Sequence, residues 1–514
     1  MAHLGSRRGR VLALPAGLAL TASLGFLPSG AASAAETSDA PAAATVATTG
    51  EKLSYVVNIA GGRWTASSVK KAIAAAGGEV VIAYEQIGVI VVHSQNPAFA
   101  RTIREARGVV SAGATRTAPL SVQRDDSVGS DSEKLTAAEA LAAAATATGD
   151  QEPLEPLQWD IPAIKADKAH QKSLGSSKVT VGVIDTGVDD LHPDLAPNFD
   201  AKASANCVSG KPDTTPGSWR PSLAESAHGT HVAGTIAAAK NGKGITGVAP
   251  GVKVAGIKVS TPDGFFYTEA VVCGFVWAAE NGIDITNNSY YTDPWMFACK
   301  TDEDQKALIE AVTRATRYAE KKGTVNVAAA GNSRYDLAAD EITDKTSPND
   351  TVPGERVIDP SVCLDYPAQL PGVVTVSATG AKGLKASYSN YGLDVIDVAA
   401  PGGDRTEYQA PEGPAVNGLI LSTVHKGGYD YMGGTSMAAP HAAGVLALLK
   451  STHPKASPAA LKALLYAQAD ERACTNPYDI NGDGKVDAVC EGGKQKNGFY
   501  GAGLIDALDA VRKR

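Results

Sequence analysis

An aspartate, a histidine and a serine, each inside a glycine-containing motif, are the residues of this sequence best suited to covalent chemistry. Asp185 ends Val179-Thr180-Val181-Gly182-Val183-Ile184-Asp185 and is followed by Thr186-Gly187. His228 opens His228-Gly229-Thr230-His231-Val232-Ala233-Gly234-Thr235, and Ser436 lies in Gly434-Thr435-Ser436-Met437-Ala438-Ala439-Pro440. A serine hydroxyl is a poor nucleophile at neutral pH. It attacks a carbonyl carbon when an imidazole takes its proton and a carboxylate fixes that imidazole's tautomer and stabilises its charged form. Taken singly, Asp185 reads as a turn or cap, His228 as a hydrogen-bonded helix-start residue and Ser436 as an N-cap. None of these readings explains why the three occur together in the order Asp, His, Ser.

Such groups need a frame that brings them to one place. Val179 to Ile184, Val254 to Val259, Ile283 to Thr286, Val325 to Ala330 and Val373 to Ala378 are short apolar runs of the kind found in buried parallel strands. Between them, Thr268 to Glu280, Lys306 to Lys321 and Met437 to Leu449 carry helical spacing. This alternation predicts an α/β domain over residues 156–514, a mostly parallel sheet with helices on both faces. Sites in such sheets form beyond the carboxyl ends of the strands, where Asp185 falls.

Upstream, a strand at Tyr55 to Ile59 and a helix at Ser67 to Ala76 precede two strands within Val80 to His93. A second helix at Pro97 to Arg107 and a strand near Val109 complete a β-α-β-β-α-β order. This predicts a small ferredoxin-like α+β domain over residues 52–120. Residues 121–155 turn polar and Ala-rich and read as a linker.

The bulk composition bounds the function. Of 514 residues, 44% are hydrophobic and 20% charged, ample for a large core, and the net charge is −8 with no basic run. A nucleic-acid partner is therefore not expected. Residues 1–34 read as an export signal: Arg7, Arg8 and Arg10, a largely apolar stretch to Leu27, then Ala32-Ser33-Ala34. Residues 35–51 are rich in Ala, Thr and Ser and read as disordered. Beyond the signal no segment has the apolar length to span a bilayer, so a secreted, extracellular protein with no membrane attachment after signal removal is expected. Six cysteines, all beyond residue 200, suit an oxidising compartment and up to three disulfides. Cys474 and Cys490, flanking a short polar loop, are the one pair the sequence suggests.

The three motifs resemble the signatures of the subtilisin-like serine proteases, in the same chain order. The resemblance runs over roughly residues 156–510 and includes Tyr366-Pro367-Ala368, Val398-Ala399-Ala400-Pro401-Gly402 and Gly501-Ala502-Gly503-Leu504-Ile505-Asp506-Ala507. It implies an endopeptidase acting on proteins or peptides through an acyl-enzyme, with Asp185 orienting the base, His228 as base then acid, and Ser436 as nucleophile. Ala328-Ala329-Ala330-Gly331-Asn332 resembles the family's oxyanion segment, which makes the Asn332 amide one donor to the developing charge and the Ser436 N–H the other. The 52–120 domain resembles the family's inhibitory propeptide, an intramolecular inhibitor cut away in maturation. No cofactor is required for the chemistry, and the chain is expected to act as a monomer.

Departures from the family pattern bear on specificity and metal binding. By the resemblance, Ser289, Tyr290 and Tyr291 fall where the family has the edge of its specificity pocket, with Gly331 also against the substrate, and the stretch between Asn332 and Tyr366 is longer than the family usually needs. The resemblance puts Asp365 where the family has a residue at the bottom of that pocket, and a carboxylate there would favour a basic side chain before the scissile bond; Arg116 and Arg124 then become candidate maturation sites. The alternative is that the long loop shifts Asp365 to solvent. The resemblance implies structural calcium at Asp194 and Asn241. Asp479, Asn481, Asp483 and Asp487 have the spacing of an EF-hand-type loop, with Cys490 where a glutamate is expected; a plain turn is the other reading. Two rival functions remain: a catalytically silent peptide binder, and a calcium-dependent adhesive role for the C-terminal loop.

Overall fold

The computed structural model describes residues 50–120, 131–406 and 409–512. The export segment, residues 35–49 and Arg124 lie outside the described residues.

Seven strands form the central sheet. From one edge to the other they are Val398–Pro401, Val374–Thr379, Val325–Ala329, Ile285–Asn288, Thr180–Asp185, Lys253–Lys258 and Ala205–Asn206. Every pairing between neighbours is parallel. The strands are apolar on both faces because helices cover both. Along Thr180–Asp185 the period of two is visible: Val181 and Val183 pack with Val232, Ile236 and Met437 on one side. Ile184 turns to the other, against Ile257, Ala270 and Phe275.

The helices His228–Ala237 and Thr435–Thr452 lie on the first face. Thr268–Glu280 and Glu303–Lys322 lie on the second. The last of these starts three residues before the expected Lys306 because Asp302 caps it, its Oδ1 accepting the Gln305 N–H at 2.9 Å. Glu303 and Asp304 in its first turn and Lys321 and Lys322 in its last complement the helix dipole.

The N-terminal unit has the expected element order: β1 (Leu53–Ile59), α1 (Arg63–Ala75), β2 (Gly78–Tyr84), β3 (Val89–Ser94), α2 (Phe99–Arg104) and β4 (Val109–Ala114). Its sheet is antiparallel in the order β2-β3-β1-β4. Strand β1 is buried along its whole length. Tyr55, Val57 and Ile59 face the unit's own helices, while Val56 joins the core around Thr268–Glu280 and Glu303–Lys322. The approach of β4 to the latter helix requires glycine, since a Cβ on Gly113 would stand 2.4 Å from the Asp304 carbonyl oxygen.

Of the expected linker 121–155, the described residues from 131 onward carry regular structure. Asp131–Lys134 is a strand, β5, antiparallel to Gly428–Gly433 with Asp131 opposite Gly433. Ala137–Thr146 is a helix, α3, closed at its start by a capping box between Thr136 and Glu139. An alanine run has high helix propensity, and Ala143 with Leu135 and Ala140 has an apolar seat on Leu419, Leu421 and Tyr431. The six cysteines form three disulfides, Cys207–Cys273, Cys299–Cys363 and the expected Cys474–Cys490.

Candidate active site

Asp185 lies at the carboxyl end of one parallel strand, and Asn332 just beyond that of another. Asp185 is the last residue of its strand and His228 the first of its helix. Both are buried, and His228 Nδ1 stands 2.8 Å from Asp185 Oδ1. The same oxygen accepts the Thr186 N–H at 2.7 Å, which fixes the carboxylate. Burial, the largest influence on His228, disfavours its charged form, but the charge of Asp185 and their hydrogen bond outweigh it and raise the imidazole above its ordinary value. With Nδ1–H given to Asp185, Nε2 keeps its lone pair. The contact depends on glycine at 229, where a Cβ would meet the Gly187 carbonyl oxygen at 2.4 Å and the Asp185 Cβ at 3.1 Å.

Ser436 is the second residue of Thr435–Thr452. Its Oγ donates to the Ser289 carbonyl oxygen at 3.2 Å, and the Ser289 hydroxyl donates to the Ser436 carbonyl oxygen at 2.9 Å. The Ser436 N–H belongs to the first helical turn, where amides lack an intrahelical acceptor. Asn332 follows Val325–Ala329 by three residues. Its Oδ1 accepts the Thr435 N–H at 2.8 Å and the Thr435 hydroxyl at 2.7 Å, so its Nδ2 is the group left to donate.

Ser436 and Asn332 line a cavity of about 370 Å³ together with Ser289, Tyr290, Tyr291, Gly331 and Asp365. Every specificity residue read from the sequence is therefore here. Tyr290 stacks on Phe266 with ring centroids 4.5 Å apart. The Tyr291 hydroxyl accepts from Asn349 Nδ2 at 2.9 Å. Asp365 is buried, 3% exposed, with Oδ1 lacking a hydrogen-bond partner among the described residues, and burial pushes its carboxyl well above the usual range. It borders Gly331, where a Cβ would stand 3.2 Å from Asp365 Oδ2.

Sequence reading missed the far part of this cavity. Asp263, Asp293 and Asn349 line it too. Asp293 accepts from Asn349 Nδ2 at 2.6 Å, and burial, the first influence on its carboxyl, pushes it up to about 7. Asn349 belongs to the long loop after Asn332, which folds as a strand pair, Ile342–Asp344 with Arg356–Ile358, and is tied to the body by Cys299–Cys363. Arg116 pairs with Glu269, not with Asp365.

Among the described residues, no group of three or more His, Cys, Asp or Glu side chains is arranged to hold a metal ion. Asp194 Oδ2 accepts from the Tyr429 hydroxyl at 2.9 Å and the Ile245 N–H at 3.0 Å. Asp194 Oδ1 and Asn241 Oδ1 are buried without hydrogen-bond partners among the described residues. Asn241 is bound to the Pro193 carbonyl beside Asp194 by its Nδ2 at 3.1 Å. Two orphaned hard oxygens on adjoining loops suit a calcium ion, which takes carboxylate and amide oxygens. In the C-terminal loop the acceptors are engaged by backbone amides: Asp479 takes the N–H of Gly482, Asp483 and Gly484, Asn481 that of Asp483, and Asp487 that of Ile480. Cys490, in the position of the expected glutamate, is held in a disulfide.

Residues 176–503 match the family model of the subtilase family. Subtilisin BL from Lederbergia lenta is 32% identical over 330 residues, covering 64% of this chain and 96% of its own. Subtilisin DY from Bacillus licheniformis is 34% identical over 299 residues, covering 58% and 86%. Among solved structures, the epidermin leader peptide processing serine protease from Staphylococcus aureus has a TM-score of 0.62 at 24% identity, over 90% of this chain and 100% of that one. Fervidolysin from Fervidobacterium pennivorans has a TM-score of 0.59 at 24% identity, over 91% and 62%. At that identity these two structures speak for the fold. The chain belongs to the subtilase family, and it is a subtilisin-like serine endopeptidase.

Proposed function

We propose that this enzyme is secreted as a zymogen that cuts itself, works through Asp185, His228 and Ser436, and prefers a basic residue before the scissile bond. The observation that carries the triad is the 2.8 Å bond from His228 Nδ1 to Asp185 Oδ1 at the strand ends. Ser436 and Asn332 share one cavity. In catalysis the Ser436 hydroxyl leaves the Ser289 carbonyl for His228. As Oγ bonds to the substrate carbonyl carbon, His228 Nε2 takes its proton. The carbonyl oxygen, now negative, accepts from Asn332 Nδ2 and the Ser436 N–H. Collapse breaks the C–N bond, His228 returns the proton to the leaving amine, and Ser436 holds the acyl group. Water then repeats the sequence and frees the acid.

The basic preference rests on Asp365. A buried carboxyl with an unsatisfied oxygen at the cavity wall is costly to ionise, and a guanidinium or ammonium beside it removes that cost. The zymogen reading is supported by the path of the chain. The 52–120 unit packs one face of its sheet on the peptidase helices, and the chain re-enters as β5 opposite Gly433, three residues before Ser436. Export is supported by three disulfides with no free cysteine among the described residues. Among those residues, no helix is long and apolar enough to cross a membrane. Asp194 and Asn241 would hold a structural calcium, which contributes rigidity and takes no part in the chemistry. The enzyme would act on protein and peptide substrates as a monomer.

The test is mass spectrometry of a mixed peptide library after incubation with the secreted protein and with Ser436→Ala. Cleavage by the native enzyme alone, with Lys or Arg enriched before the cut, is the expected result. Cleavage without that enrichment removes the role given to Asp365, and equal behaviour of the two proteins removes the triad.

A further inference from the structure

Among the described residues, the least exposed ion pair between the N-terminal unit and the peptidase joins Arg116 to Glu269. Glu269 is buried and the Arg116 side chain is 9% exposed, with Arg116 Nη2 2.6 Å from Glu269 Oε1. The guanidinium also lies flat against an aromatic ring, its Cζ 3.8 Å from the centroid of Tyr267. The next two residues are held as well. The N–H groups of Thr117 and Ala118 donate to Asp350 Oδ2 at 2.8 and 3.0 Å, and the Thr117 hydroxyl bonds Asp350 Oδ1.

Chain neighbours of this seat line the substrate cavity. Tyr267 is followed by the helix Thr268–Glu280, preceded by Phe265 and Phe266 in the cavity wall, and bridged to Asp293. The Tyr267 hydroxyl reaches Asp350 Oδ2 at 3.4 Å, and Asn349, next to Asp350, lines the cavity that contains Ser436. The chain's direction also fits a bound peptide. Residues 116–118 sit at this end, and the chain returns at Asp131 opposite Gly433, on the Ser436 side. The charge fits too: Asp263, Asp293 and Asp365 line the cavity, and none of its described lining residues is Lys or Arg.

We propose that Glu269 and the Tyr267 ring form a guanidinium-binding subsite at the far end of the cleft. Arg116 of the chain's own N-terminal unit fills it in the zymogen, and in the mature enzyme an arginine of the substrate, several residues before the scissile bond, takes its place. This deepens the endopeptidase reading and rests on it. Arginine rather than lysine is specified because a planar cation can stack on Tyr267 while its edge donates to the carboxylate. The seat also gives the zymogen a self-recognition element: the N-terminal unit holds the cleft with the kind of side chain that substrates must present.

The test uses mature enzyme freed of its N-terminal unit and internally quenched peptides with a fixed basic residue before the cut. Arginine, lysine or citrulline, a neutral isostere, is placed in turn at each position from the third to the tenth before the cut. At one position arginine should raise kcat/KM on the order of tenfold over citrulline and above lysine. In Glu269→Gln the arginine-to-citrulline ratio should fall to about one. Should that variant fail to fold, Tyr267→Leu keeps the carboxylate and should bring arginine down to the level of lysine. Cleavage with no arginine preference at any position, or variants with unchanged ratios, would overturn the subsite alone. Absence of cleavage by mature native enzyme would overturn the endopeptidase reading and the subsite with it.

Discussion

Asn332 gives both lone pairs of its amide oxygen to Thr435, accepting the backbone N–H at 2.8 Å and the hydroxyl at 2.7 Å. The residue beside Ser436 thus dictates which end of the amide is free. An amide that could flip would present oxygen to an oxyanion half the time, and the repulsion would cancel its use. Asn332→Ala should lower kcat by about 10²–10³ with little change in KM, the range found when one such donor is removed from a subtilisin. Thr435→Val removes one of the two bonds that set the orientation, and a smaller loss, on the order of tenfold, is expected. Steady-state kinetics on one peptide check both.

In the proposed mechanism the pairing of His228 with Asp185 sets the acid limb of the pH profile. The base must be neutral to accept the Ser436 proton, and its charged form is stabilised in the folded enzyme. Activity should therefore fall as pH drops through a midpoint above the ordinary imidazole value of about 6.5. Asp185→Asn removes the charge that opposes burial, so the midpoint should move down while the rate falls by orders of magnitude. A profile of kcat/KM against pH for both enzymes tests this, and an unmoved midpoint would separate the limb from His228.

Asp365 makes a different pH prediction. Burial holds its carboxyl well above the usual range when nothing cationic is beside it. Bringing in an arginine or lysine side chain favours the ionised form, so binding releases a proton wherever the empty site is protonated. The advantage of a basic over a neutral residue before the cut should grow as pH rises. Asp365→Asn should remove both the advantage and its pH dependence, with peptides ending in an apolar residue cut at least as well as before. Competition between paired peptides across pH reads this directly.

What the sequence made legible was local. Asp185, His228 and Ser436 sit at element ends whose apolar runs are short and self-contained, so motif and position could be read together. The helix Thr268–Glu280 lies where its spacing placed it. Illegible features depend on partners far along the chain. Strand β5 is Asp-Ser-Glu-Lys, poor β-formers that pair because Gly428–Gly433 offers an edge about three hundred residues later. Asn349 gave no signal because it is the long loop's fold, not its composition, that turns it into the cavity, where it meets Asp293 from a separate segment. Arg116 was legible as a basic residue near the end of a domain. Its seat on Glu269 and Tyr267 was not, since no pattern in 115–120 specifies a contact with a distant helix start.

Lys385 allows a prediction about stability in place of activity. Its side chain is almost wholly buried among Tyr391, Tyr478 and Phe499, and Nζ donates to the carbonyls of Ala386 at 2.9 Å and Ser389 at 3.0 Å. Burial, the largest influence, lowers its pKa to about 7, the charge of Asp404 resisting. In the unfolded chain the amine keeps its ordinary value of about 10.4. Between these two values the unfolded state binds more protons than the folded one, so stability rises with pH across that window. Below about pH 7 both states carry the charge and the penalty is constant; above about 10.4 neither does and it is gone. The gain is on the order of 1 kcal/mol per pH unit inside the window. Lys385→Met, similar in length and without a charge, should flatten this rise and raise stability at neutral pH, offset in part by the two carbonyls it leaves unbonded. Urea unfolding from pH 6 to 10.5, with both proteins carrying Ser436→Ala to prevent self-digestion, measures the slope, and parallel curves for the two would show that Lys385 is not its source.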